Sequence, residues 1–166
     1  VEIHRYEKLW LGASLLLIVT FIGTIVFGAI GPGVAMVDAE GGTITPDQLS
    51  ADDRFSDPRV EQVGENEYEV YAIARQFAFQ PDPIEVPAGS TVTFYIASAD
   101  VIHGFEVAGT NLNTMVIPGQ VTKVTVELDE PGEHGIVCNE YCGAGHHVME
   151  GKLNVIPQDE WEGSDA

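Results

Sequence analysis

Both cysteines of the chain fall in one stretch, CNEYCGAGHHVME, which runs from Cys138 to Glu150. Two of the five histidines and one of the three methionines follow in the same stretch. The spacing C-x3-C-x3-H-x2-M puts Cys138, Cys142, His146 and Met149 within 12 residues. Thiolate, imidazole and thioether are soft or borderline donors. Ca²⁺ and Mg²⁺ need several oxygens, and only Glu140 and Glu150 stand near, so hard ions fit poorly. A zinc site of Cys, Cys and His is arithmetically open, whereas a Met ligand argues for copper. A blue-copper site uses one Cys, two His and a distant Met, so this loop has one thiolate too many. Two thiolates can bridge two copper ions, with one imidazole serving each. An electron shared across both metals spreads the charge change and lowers the reorganisation on transfer. The second imidazole must come from elsewhere, and SADVIHGFEV (98–107) offers His103 at the end of a strand, on a loop.

These donors need a rigid frame. Gly143, Ala144 and Gly145 let the loop curl tightly. From Tyr68 onward the pattern is that of strands: YEVYAIA (68–74), TVTFYIA (91–97), VTKVTVEL (121–128), GEHGIVC (132–138) and GKLNVI (151–156), separated by Pro and Gly turns. Val92, Phe94 and Ile96 alternate with Thr91, Thr93 and Tyr95, and Val124, Val126 and Leu128 with Lys123, Thr125 and Glu127. Such alternation predicts sheets with one buried face each, hence a sandwich or a Greek-key barrel.

No charged residue occurs from Leu9 to Val37, and Trp10–Ile30 is long enough to cross a bilayer. A cleaved signal has a shorter apolar core, so the run reads as a retained single-pass anchor. His4, Arg5 and Lys8 precede it and Asp38 and Glu40 follow. The positive-inside rule therefore puts the N-terminus in the cytoplasm and the rest outside, in a plasma-membrane protein. Three regions result: a membrane anchor (1–37), an acidic Gly/Pro-rich linker (38–66) with no visible period, and a β domain (67–166) ending in a short acidic tail. In an extracytoplasmic domain a cysteine pair also reads as a disulfide, and the clustered His and Met weigh against that.

The 166 residues carry 26 acidic and 7 basic side chains, a formal net charge of −19. Nucleic acid is excluded as a partner, since phosphate binding needs clustered Lys and Arg. The acids are dispersed among β-branched and aromatic residues, as on a folded domain with an acidic skin. High salt would screen their repulsion, which points to a halophilic source. An acidic docking face for a basic partner is the other explanation.

The single span together with FAFQPDPIEVPAGSTVTFYI, VIHGFEV, PGQ and CNEYCGAGHHVMEGKL resembles subunit II of haem–copper cytochrome c oxidases, most of all the short, single-span form of the ba3 (B-type) enzymes. The resemblance covers the whole chain and is strongest from Arg75 to Ile156. It implies an all-β, cupredoxin-like Greek-key sandwich behind one transmembrane helix, carrying the dinuclear CuA centre of two copper ions. It implies Cys138 and Cys142 as bridging thiolates and His103 and His146 as terminal imidazoles. Met149 would be a weak ligand to one copper and the backbone carbonyl of Glu140 to the other. For the adjacent pair His146–His147, both the family pattern and the four-residue spacing from Cys142 favour His146. Neighbours in an extended loop point in different directions, so His147 is expected to face away.

The implied partners are a soluble electron donor (cytochrome c or a small blue copper protein), membrane lipid, and a catalytic subunit I holding haem and CuB. Glu7, in YEKLW, matches a subunit II glutamate at the cytoplasmic mouth of the proton path. Other classes remain as alternatives. One is a CuA-type electron-transfer domain of another respiratory complex. A membrane-anchored copper-delivery protein on a thioredoxin-like fold is another, but it needs a long α/β stretch after the cysteines, and only 24 residues follow Cys142. No C-x-x-C-H haem-attachment motif and no nucleophile–base pair occurs, so oxygen chemistry is not expected in this chain alone. His134 is expected to be a sheet residue, and Tyr6 and Trp10 fit an interfacial aromatic belt.

Overall fold

The computed structural model describes residues 4–30, 37–38 and 41–163. By compactness the chain divides into Val1–Val34 and Ala35–Ala166. The first unit contains helix α1 (Arg5–Ile30). The described side chains of α1 are exposed on every face, including Leu9, Trp10, Leu16, Phe21 and Phe27. A helix apolar all round suits a lipid surround, and its 26 residues at about 1.5 Å each exceed a bilayer core of about 30 Å.

The second unit is a sandwich of two sheets. Its strands are β1 (Val37–Asp38), β2 (Arg59–Gly64), β3 (Glu67–Arg75), β4 (Ala78–Gln80), β5 (Ile84–Pro87), β6 (Ser90–Ser98), β7 (His103–Val107), β8 (Asn113–Val116), β9 (Val121–Leu128), β10 (Gly132–Val137) and β11 (Glu150–Ile156). One sheet has the order β1-β9-β6-β3-β2, with β4 also paired to β3; the other runs β5-β11-β10-β7-β8. Strands β3 and β6 pair in parallel, as do β5 and β11, and the remaining pairs are antiparallel. The alternation read from sequence sets the faces: Tyr68, Val70 and Ala72, then Val92, Phe94 and Ile96, then Val124, Val126 and Leu128 all enter the core between the sheets. There they meet Ile84, Val86, Phe105, Ile136, Leu153 and Val155 from the other side. Each of the five predicted strands is present to within a residue or so. Strands β4, β5, β7 and β8 escape a periodicity search because three to five residues give too few alternations, and β2 escapes it because its side chains do not alternate between buried and exposed.

Two expectations differ from what is observed. His103 does not end a strand on a loop; it is the first residue of β7. The stretch 38–66, read as a linker without a period, has structure of its own in its described residues. It forms a 3₁₀ turn at Pro46–Ala51 and then β2, and it buries Ile44, Leu49 and Phe55. These three cover Ile73, Ala97 and Val121 on the outward face of the six-stranded sheet. Three apolar residues spaced five and six apart on irregular chain leave no periodic signature, yet they suffice to seal that face.

Candidate metal centre

The loop Cys138–Met149 is an excursion from a hairpin. Strands β10 and β11 are paired over six positions up to Val137↔Glu150, and the Cys138 amide then donates to the Met149 carbonyl at 3.3 Å. Both ends of the loop are thereby fixed. Strand β7 lies on the other side of β10, in register Val137↔Glu106, which brings the start of β7 alongside the start of the loop. The approach is close enough that a Cβ on Gly104 would sit 1.7 Å from Asn139 Oδ1, so only glycine fits there. Asn139 Nδ2 in turn donates to Glu106 and Asn113, at 2.9 and 3.0 Å.

This frame gathers the donors. The sulfurs of Cys138 and Cys142 are 3.8 Å apart, both thiols free and buried. His103 Nδ1 lies 3.8 Å from Cys138 Sγ, and His146 Nδ1 lies 3.7 Å from Cys142 Sγ. Met149 Sδ is 3.6 Å from Cys142 Sγ, and the Glu140 carbonyl oxygen is 3.2 Å from Cys138 Sγ. His103, Cys138 and Cys142 place one donor atom each within 4.8 Å of one another. His103 and Met149 are buried as well. Burial, followed by the hydrogen bond with Cys138, pushes the Cys142 thiol up to about 11. A metal that takes Cys142 as a thiolate must displace that proton.

His146 and His147 differ for a reason other than an extended loop. They open a 3₁₀ turn, His146–Val148, in which successive residues are rotated by about a third of a turn. His146 is half-buried with its ring on Cys142, and its edge meets the exposed Tyr141 ring at 5.8 Å; His147 is exposed. His134 is the expected sheet residue, its Nδ1 3.0 Å from the Ala108 carbonyl.

Sequence reasoning missed the groups that hold these donors. Asp100 Oδ1 accepts from His103 Nε2 at 2.7 Å, which leaves Nδ1 for the sulfur side. Burial raises the Asp100 carboxyl, but hydrogen bonds from the Gln76 amide, His103 and the Val101 amide outweigh it and hold the group below its usual range. A carboxylate behind a ligating imidazole fixes tautomer and ring orientation. The signal was present as D-x-x-H in SADVIHGFEV.

The donor set fits copper: two sulfurs at bridging separation, an imidazole on each, and a thioether and a carbonyl on the flanks. Residues 66–156 match the family model described as cytochrome c oxidase subunit II, periplasmic domain. The chain is 42% identical over 156 residues to a cytochrome c oxidase subunit 2 of Thermus thermophilus, covering 92% of this chain and 93% of that protein. The chain belongs to the cytochrome c oxidase subunit II family. A second Thermus thermophilus subunit 2 is 46% identical over 114 residues, 68% of this chain and 84% of that one. Among solved structures, a chain of a haem–copper terminal oxidase dimer superposes with a TM-score of 0.66 at 34% identity, covering 91% of this chain and 99% of that one. This protein is thus subunit II of a terminal haem–copper oxidase, with a membrane-anchoring apolar helix and a periplasmic-type cupredoxin-like sandwich. Its His/Cys/Cys/Met cluster is the kind typical of a dinuclear CuA site.

Proposed function

We propose that Cys138 and Cys142 bridge two copper ions, with His103 and His146 as the terminal imidazoles. Met149 and the Glu140 carbonyl would be weak ligands on the flanks. The observation that carries this reading is the pairing of each imidazole with a different sulfur, His103 with Cys138 and His146 with Cys142. With the two sulfurs 3.8 Å apart, the set offers two shared thiolates and one imidazole for each metal. Bound there, the copper pair supplies a one-electron store with low reorganisation. The chain's own part is to hold six donors in place, exclude water by burial, and orient His103 through Asp100.

In this reading the subunit is of the ba3 type, and a soluble cytochrome c or small blue copper protein delivers electrons bound for the haem and CuB of subunit I. The loops bearing the donors expose Val101, Ile102, Tyr141 and Val148, and the β3–β4 corner adds Phe77, a composition that suits contact with a redox partner. The N-terminus faces the cytoplasm, the anchor ends near residue 37, and the sandwich lies outside. Glu7 accepts the His4 amide at 2.9 Å at the start of α1, and its carboxyl serves the proton path. Glu7→Gln keeps an acceptor for His4 but removes the ionisable group. It should slow oxygen reduction without changing electron entry, and equal turnover in both complexes would remove that role. The net charge of −19 supports a reading of the protein as adapted to molar salt. Metal analysis with electron paramagnetic resonance tests the core of the proposal. Two coppers per chain in a mixed-valence signal is the expected result; one copper, or one zinc, would sink it.

A further inference from the structure

The corner between β3 and β4, residues Gln76 and Phe77, supplies none of the donors described, yet it touches both stretches of chain that carry them. Gln76 donates its backbone N–H to Asp100 Oδ2 at 2.7 Å, while the other oxygen of that carboxylate holds His103. The Gln76 side-chain amide reaches the opposite way and donates from Nε2 to the carbonyl of Cys142. Phe77 then lies against the loop. A Cβ on Gly145 would sit 2.5 Å from its ring, and one on Gly143 would sit 2.7 Å from Gln76 Nε2 and 3.3 Å from the ring. Gly143 also has φ +132°, so its backbone conformation is one that side-chain-bearing residues rarely adopt. Ring and loop are therefore fitted to each other. Phe77 remains 36% exposed, unlike Phe79, which fills the core at 3%.

We infer that Gln76 and Phe77 form a positioning clamp for the metal centre. One hydrogen bond fixes His103 through Asp100, and the other, with the ring, fixes the Cys142–His146 arm of the loop. The inference rests on the copper-binding reading above, but the clamp itself is built of contacts between protein groups. Removing the Gln76 amide leaves the carbonyl of buried Cys142 without this donor, the kind of loss that loosens a loop. Gln76 and Phe77 are positioning residues, since neither bears a donor atom for the metal.

The test uses the full-length chain in its oxidase complex, comparing Gln76→Leu, Phe77→Ala and the conservative Phe77→Tyr with the native protein. In the loaded protein, Gln76→Leu and Phe77→Ala should lose copper to a chelator about tenfold faster, the scale of one hydrogen bond near a charged site. Their mixed-valence spectra should also broaden. Phe77→Tyr keeps the ring and should match the native chain. In the metal-free protein, the amides of His146 and Val148, which are bonded to the carbonyls of Gly143 and Gly145, should exchange faster in Gln76→Leu. Amides in the β10–β11 ladder should not change, and this separates a freed loop from a damaged fold. A native chain that binds fewer than two coppers would refute the copper reading and leave the exchange measurement to decide the clamp. Unchanged exchange at His146 and Val148, or chelator loss within twofold of native, would overturn it.

Discussion

Two irregular stretches lie on this sandwich, the loop 138–149 and the segment 41–56, and they are held by opposite means. The segment is held by burial: Ile44, Leu49 and Phe55 fill an apolar face, and an Arg54–Asp52 ion pair at 3.1 Å and a bond from Arg54 to the Gly41 carbonyl trim its edge. The loop buries two thiols and a thioether around a shared centre, and it depends on neighbours such as Gln76 and Glu106 to hold it in place. The first arrangement is complete in itself, because apolar groups need only to leave water. The second brings together atoms whose best partner is a cation. A metal site is thus built by filling a space with donors that satisfy one another poorly.

The sharpest way to break this comparison is to exchange one side chain in each stretch. His146→Asn should abolish the mixed-valence spectrum, whereas the neighbouring His147→Asn should leave it nearly intact; the reverse pattern would overturn the choice of imidazole. Phe55→Ala should do the opposite to His146→Asn, costing about 3–5 kcal/mol of stability in denaturant while copper content stays constant. Loss of copper at matched folded fraction would show that the two stretches are coupled.

Proton titration should separate them next. The Cys142 thiol lies above its ordinary 9.0 because burial and Cys138 disfavour the thiolate. The folded metal-free protein therefore holds that proton longer than the unfolded chain does. Its contribution to stability is full below 9.0 and is lost as pH rises toward about 11. Asp52 behaves in the opposite sense. The Arg54 hydrogen bond holds its carboxyl below the ordinary 3.8, so its contribution is present above 3.8 and is lost as pH falls through the lowered value. Thermal melts of metal-free protein from pH 3 to 11 should show both flanks. A flat alkaline side would contradict the thiol assignment.

Salt should act least selectively, since it screens the whole acidic skin. If the −19 charge is an adaptation to brine, the denaturation midpoint should rise steeply between dilute and molar KCl. Unmoved curves would favour the docking-face explanation.

What was legible followed from signals that repeat or cluster. Strands β3, β6 and β9 were readable because eight or nine residues give several alternations, and the donor loop because rare residue types crowd into it. His103 was legible as the remaining imidazole at a strand boundary, though its place at the start of β7 was not. Asp100 stayed hidden because carboxylates are common and D-x-x-H is a weak signal, and Gln76 because only the tertiary approach of the loops gives it a task. Ile44, Leu49 and Phe55 stayed hidden for a different reason: nothing local tells an isolated apolar residue from one that covers a distant sheet.

The β10–β11 ladder, closed across the mouth of the loop by the Cys138–Met149 bond, also bears on how the protein is made. Six paired positions in strands packed on the core hold both stems through backbone bonds alone. Such a ladder would let the polypeptide fold first and load second. In that order, copper enters a vessel that is already shaped, and the cell can postpone delivery until after the chain has crossed the membrane.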